Sequence, residues 1–358
     1  MQPSRRAFLF GRQTPRTPWD AFLQRLGRLV QGRVSNLGAE RAGQPLGHNP
    51  GTEVPNRARL TAVHREDVRQ ARALCAEYGV VLQLAGLADD TRSAVPQAGA
   101  RDPWDAAAVD GPGQKYTNAL AQGDVLEVDP SSLDMVTHDP ESGQWVAQPG
   151  CRVGELAASG LLQFRGAPPE WTLAAWLARS RGWMPGATAM SGVVQAELLF
   201  SDGTVESLGA FGASDVRPLR SAMVQRLVPA LFQLSSSPDA VICREAPQWP
   251  CRYRLDALQP TAPAQVNLAQ LLLGHGGTLA WVESVTLIPS HPGGAWPVEP
   301  AMADPGALPV ASPCPAGTPS GVGAMQGQAL SDEKVANAAR RLQIRMKNAF
   351  DPLDLYGD

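Results

Sequence analysis

Apolar and polar positions first fall into a helical rhythm after a basic arm. Thr17 stands before Pro18, and Phe22, Leu23, Leu26, Leu29 and Val30 recur at helical spacing, with Arg25, Arg28 and Arg33 around the polar side. This predicts an amphipathic helix, N-capped by Thr17, that packs on the main domain rather than on a membrane or partner. Residues 35–57, rich in Gly, Pro and Asn, read as a linker. From Leu60 the pattern becomes strand, helix, strand: Leu60–Val63, then Asp67–Tyr78 ended by Gly79, then Val80–Leu84.

Residues 86–123 show no period and predict a long loop. Strands are expected at Val125–Val128 and Trp145–Ala147. A hairpin is expected from Val193–Phe200 and Thr204–Leu208 around Ser201-Asp202-Gly203. A helix follows in Ser221–Leu234 and a strand in Thr278–Ile288. Residues 289–323 hold nine prolines and six glycines, too little apolar surface to offset the chain entropy of ordering them. A final helix is predicted with Ser331 as cap, Asp332 and Glu333 in its first turn, and Val335, Ala339, Leu342, Met346 and Phe350 as its buried stripe. Four regions result: a basic arm with helix and linker (1–57), the main domain (58–290), a Pro/Gly-rich linker (291–329) and a C-terminal helix and tail (330–358).

At 358 residues and 44% hydrophobic composition the chain can bury a sizeable core. A net charge of −3 supplies no positive field for nucleic acid. No apolar run reaches the ~20 residues of a membrane span. Ser4-Arg5-Arg6-Ala7-Phe8-Leu9 is like a twin-arginine export motif but lacks an apolar stretch behind it, so a cytoplasmic location is expected. The five cysteines, Cys75, Cys151, Cys243, Cys251 and Cys314, show no C-x-x-C spacing, which argues against an iron–sulfur or zinc site, and their odd count argues for a reducing compartment. No nucleophile elbow, H-E-x-x-H pair or P-loop occurs.

Four ordered segments carry a resemblance. They are Val63–Leu84; Leu126–Asp134 through Val146–Leu156; Gly186–Gly203; and Leu272–Leu287 with its Gly274-His275-Gly276-Gly277-Thr278 core. The ending Lys347-Asn348-Ala349-Phe350-Asp351-Pro352 adds a fifth. Together they resemble the FAD-linked oxidase family, the vanillyl-alcohol-oxidase or PCMH-type flavoproteins, and within it the FAD-binding subunits of bacterial glycolate oxidases. The resemblance implies an α+β, PCMH/VAO-type FAD-binding fold of two α+β subdomains, with the substrate cap domain largely absent. It implies that Gly86, Gly150, Gly186, Thr188, Gly274, His275, Gly277 and Thr278 bind the cofactor. Glycine suits that role, since a diphosphate held outside a Rossmann fold needs close backbone N–H groups that a Cβ would obstruct; for each glycine alone an ordinary turn remains the other reading.

The chain departs from the family at several of these places. Ala85-Gly86-Leu87-Ala88-Asp89-Asp90 replaces a glycine-rich loop, bringing a bulky side chain and two negative charges where a diphosphate would lie, at a cost of about a kcal/mol or more. Thr172–Trp176 replaces a glycine turn against the flavin, and Met190-Ser191 replaces an Arg-Asp pair. With no histidine in the Ala85–Asp89 loop, any FAD is expected to be non-covalent. His275 reads either as a group near the cofactor or as a loop histidine in water; Arg252 and Tyr253 read as flavin-facing or as part of a turn. Catalytic residues are not identifiable.

Two functions stay open. One is an FAD-binding subunit that takes hydride from a 2-hydroxy acid, glycolate- or D-lactate-like, with a partner subunit supplying the substrate site or accepting electrons. The other is a flavin-free degenerate scaffold, an interaction protein of the same fold.

Overall fold

The computed structural model describes residues 17–38, 55–87, 123–212, 220–290 and 322–357, with backbone alone over 322–331. Helix α1 (Pro18–Leu29) begins as expected: the Thr17 hydroxyl accepts a hydrogen bond from the Asp20 amide at 3.0 Å. It docks on its own chain. Trp19, Phe22 and Leu26 are buried, Phe22 meets the Tyr78 ring edge-on, and Arg25 pairs with Glu77.

The first sheet contains β1 (Arg33–Asn36), β2 (Arg57–Thr61), β3 (Val81–Leu84) and β4 (Val125–Asp129), in the order β1-β2-β4-β3. β2 and β3 run parallel to β4, and β1 runs antiparallel to β2. Helix α2 (Arg65–Tyr78) joins β2 to β3 and stops at Gly79, which adopts the left-handed conformation. Two expectations shift here. β2 starts three residues before Leu60, because Arg57 and Arg59 are held in the strand by Glu127 on β4 at 2.9 and 2.8 Å. β1 begins before the stretch read as linker and enters it; its polar Arg-Val-Ser-Asn sequence gains strand geometry from pairing with β2. Asp67, in the first turn of α2, accepts from the amides of Gln31, Val63 and His64. Burial pushes its carboxyl up, but these bonds outweigh that and hold it below the ordinary range.

The second sheet is antiparallel throughout: β5 (Val136–Asp139), β6 (Gln144–Ala147), β7 (Val193–Leu199), β8 (Val205–Leu208) and β9 (Trp281–Leu287), in the order β5-β6-β9-β7-β8. All four residues of β5 are exposed, and it carries no apolar alternation to announce it. β9 is the buried centre and is shorter than Thr278–Ile288, because the Thr278 hydroxyl is tied at 2.7 Å to the His275 carbonyl in the preceding turn.

Helices α3 (Val153–Ala158), α4 (Leu173–Arg179), α5 (Ala222–Ser235), α6 (Pro238–Glu245) and α7 (Val322–Phe350) pack around this sheet. Ser221, expected as the first residue of the helix, is instead its N-cap, its hydroxyl accepting from Val224 N at 3.2 Å. α7 starts at Val322, so Ser331 lies inside the helix and is not its cap; the backbone continues as helix through Gly327. The Val335–Phe350 stripe does bury Ala339, Leu342, Met346 and Phe350. The architecture is α+β with two subdomains, each with its own core.

The seam between the subdomains is polar on one side and apolar on the other. Arg69 on α2 grips Glu283 on β9 through two bonds of 2.7 and 2.6 Å, Arg65 reaches Glu197 at 2.8 Å, and Arg72 donates to the Ser201 carbonyl. On the other side Ala174, Ala178, Leu199 and Trp281 join the core of the first sheet. The C-terminal tail stitches both: Leu82 N donates to Leu355 O at 2.9 Å, and the buried Tyr356 hydroxyl donates to Leu199 O at 2.6 Å. The twin-arginine-like stretch, most of the 86–123 loop, and the 291–321 part of the Pro/Gly-rich linker lie outside the described residues.

Candidate functional site

Where the two subdomains meet, β3, α4 and the turn before β9 enclose a narrow cleft. Leu82, Leu84, Ala174, His275, Gly277, Ala280, Trp281 and Val282 line it. Its volume is about 10 Å³, the space of a single water molecule.

Gly86, Gly274, His275, Gly277 and Thr278 converge at this seam from two distant parts of the sequence. Gly86 sits at the end of β3, with its carbonyl accepting from Arg179 at 2.7 Å, while the Arg179 guanidinium lies over the Trp171 ring. The turn Gly274–Thr278 is pinned by Gly274 N to Leu177 O and Gly276 N to Ala178 O, so α4 positions it. Both Gly274 and Gly277 have φ near +75°, a conformation that a Cβ disfavours. Gly150, Gly186 and Thr188 do not line the cleft. Gly150 is pressed against the Pro130 carbonyl, Gly186 donates to Asp256 at 2.9 Å, and the buried Thr188 donates to Gln270 at 2.8 Å.

His275 is not a loop histidine in water: it is 2% exposed. Its Nδ1 has no hydrogen-bond partner among the described residues. Burial, helped by the nearby Arg252 charge, pushes its pKa down to about 3, so the ring is neutral. Tyr253 faces this turn, with its hydroxyl 2.8 Å from the Thr278 hydroxyl.

Sequence reasoning singled out Arg252 and Tyr253 but passed over Arg254, the most buried of the three. Arg254 makes a two-point pair with Asp256 at 2.9 and 2.7 Å and donates to the carbonyls of Arg181, Trp183 and Met184. It fixes the segment between α4 and Gly186. An R-x-D triplet is its only local signal, and that is too common to be read.

Whether the described residues fit FAD can be tested on the space at the glycines. A Cβ on Gly277 would lie 3.2 Å from Leu87 Cδ1 and 3.3 Å from Leu84 Cβ, and one on Gly274 would lie 2.7 Å from Arg181 Cγ. The room that these glycines leave is taken by the chain's own side chains. A tricyclic flavin is many times larger than this one-water cleft, so the described residues in this arrangement do not enclose one. The Thr172–Trp176 segment likewise forms the first turns of α4, with Thr172 Oγ1 accepting from Ala175 N at 3.2 Å, in place of a glycine turn. Among the described residues no group of three His, Cys, Asp or Glu side chains could hold a metal ion, and no helix is long and apolar enough to cross a membrane.

No protein-family model matches the chain, and no curated protein matches it. Solved structures that resemble it include p-cresol methylhydroxylase with substrate bound, at 13% identity and a TM-score of 0.40 over 77% of this chain and 44% of that one. The wild-type BBE-like 1 protein of Physcomitrella patens aligns at 15% identity and a TM-score of 0.38, over 74% of this chain and 43% of that one. 6-Hydroxy-D-nicotine oxidase from Arthrobacter nicotinovorans aligns at 12% identity and a TM-score of 0.37, over 72% and 42%. The chain thus spans less than half the length of these proteins.

Proposed function

We propose that this chain is a flavin-free scaffold built on an FAD-linked oxidase type of fold, whose work is to bind a partner subunit rather than to transfer hydride. The observation that carries this reading is the filled cleft: Leu84 and Leu87 pack into the space that Gly277 leaves, and among the described residues one water's volume remains there. The closed seam, with its ion pairs and C-terminal stitch, gives a rigid two-subdomain body suited to presenting a fixed surface.

One observation favours the other reading, a non-covalent FAD subunit that accepts hydride from a 2-hydroxy acid. Among the described residues His275 Nδ1 is a buried polar atom without a partner at the cleft wall, and a buried unpaired nitrogen calls for a ligand atom or a water. If FAD bound, Gly86, Gly277 and His275 would be the residues to hold it, and the flavin would supply the electron sink. The visible spectrum of the purified protein, taken after excess FAD has been added and then removed by gel filtration, separates the two. No retained flavin supports the scaffold; a retained band that bleaches with D-lactate or glycolate overturns it.

A further inference from the structure

Cys243 and Cys251 are scattered thiols by their spacing, but the fold brings them together. Cys243 lies on the buried face of α6, and Cys251 lies in the segment that follows it. The two sulfurs are 3.7 Å apart, with Cys251 Sγ also 3.9 Å from the Ala339 carbonyl on α7. Both are free thiols. Trp249 Nε1 donates to Tyr253 O across the same segment, and Tyr253 in turn reaches Thr278 in the cleft turn. The thiol pair is therefore one short step from the cleft wall.

We propose that Cys243 and Cys251 form a redox-active dithiol that closes to a disulfide, and that closure stiffens the Trp249–Leu258 segment beside the cleft. The oxidant is a low-molecular-weight disulfide. The Cys243 sulfur attacks one sulfur of the oxidant, breaking its S–S bond and expelling one thiolate. The Cys251 sulfur then attacks Cys243 in that mixed disulfide and expels the second thiolate. Two electrons pass from the protein thiols to the oxidant, and the two thiol protons end on the released small thiols. The order of attack follows from the contact itself: the hydrogen bond from Cys251 holds the Cys243 thiol below its ordinary range, whereas the same bond and burial push Cys251 up. Both sulfurs are buried, so the reaction passes through a local opening of the two-turn helix α6. The inference is independent of whether FAD binds.

The test uses the full chain carrying Cys314→Ser, since Cys314 lies outside the described residues. The reduced protein is incubated with oxidised glutathione, and peptides are mapped by mass spectrometry beside a denatured control. The expected result is a Cys243–Cys251 cross-link in the native protein, reversed by dithiothreitol, with slower amide exchange over Trp249–Leu258 in the oxidised form. A native pair that stays reduced while the denatured control oxidises would overturn the proposal. So would separate glutathione adducts on each cysteine, or a cross-link that leaves exchange over that segment unchanged.

Discussion

Lys347 donates a hydrogen bond to Asp351, one helical turn on, at 2.6 Å, and both side chains are buried where α7 hands over to the C-terminal tail. Lys347 also donates to the carbonyls of Thr278, in the cleft turn, and Tyr356, in the tail; Asp351 accepts from the amides of Leu355 and Tyr356. This pair is the hub that joins the cleft turn to the tail.

Removing Lys347 strands Asp351 as a buried charge, whereas Lys347 keeps a second carboxylate in Asp354 at 3.5 Å. Lys347→Met is expected to destabilise the protein by about 3–5 kcal/mol, and Lys347→Met with Asp351→Asn by clearly less than the sum of the two single changes. Urea unfolding of the three variants measures this; additive costs would show that the pair does not act as a unit.

Burial of neutral His275 makes stability depend on pH. Its folded pKa, about 3, lies below the ordinary value of 6.5, so the unfolded chain takes up the proton first as pH falls. This contribution is fully present above pH 6.5 and is lost progressively between pH 6.5 and 3. His275→Phe should flatten the urea midpoint across pH 6.5 to 5. Asp67, whose pKa is depressed, contributes in a lower window: its stabilisation is present above the unfolded carboxyl value of about 4 and fades below it. Titration of the variant and parent by urea midpoint separates the two.

The filled cleft predicts a coupled pair. Gly277→Ala, at φ +76° and against Leu87 and Leu84, should cost about 1–3 kcal/mol. Shortening Leu87 to Ala should recover the crowding part of that cost but not the backbone part. A double-mutant cycle in thermal unfolding reads the recovery; no coupling would mean that Leu87 does not press on Gly277.

Across the seam, Glu283 is fully buried on β9 while Arg69 is partly open to solvent. Arg69→Met leaves that carboxylate unpaired and is expected to cost about 2–4 kcal/mol, with Glu283→Gln added on top restoring part of it. Denaturant midpoints of the single and double variants decide this.

Much of the fold was legible because it is written in local pattern. The caps Thr17 and Gly79, the 201–203 hairpin, and the stripes of α1, α2 and α7 follow from spacing and turn chemistry alone. β1 and β5 were not legible, since their polar residues become strands only by pairing with β2 and β6. The start of α7 was misplaced because Ser331 is a good cap residue in a helix that the backbone had already begun.

The sequence by itself determined the strand–helix–strand opening and the Gly79 helix stop, because periodicity and left-handed backbone requirements act over a few residues, while the α+β class came from the resemblance of its ordered segments. Only the tertiary structure decided that Leu84 and Leu87 fill the space at Gly277, that His275 is buried with its Nδ1 unpaired among the described residues, and that Cys243 meets Cys251. Those outcomes depend on which distant surfaces the packing presses together, and a one-dimensional pattern carries no record of that distance.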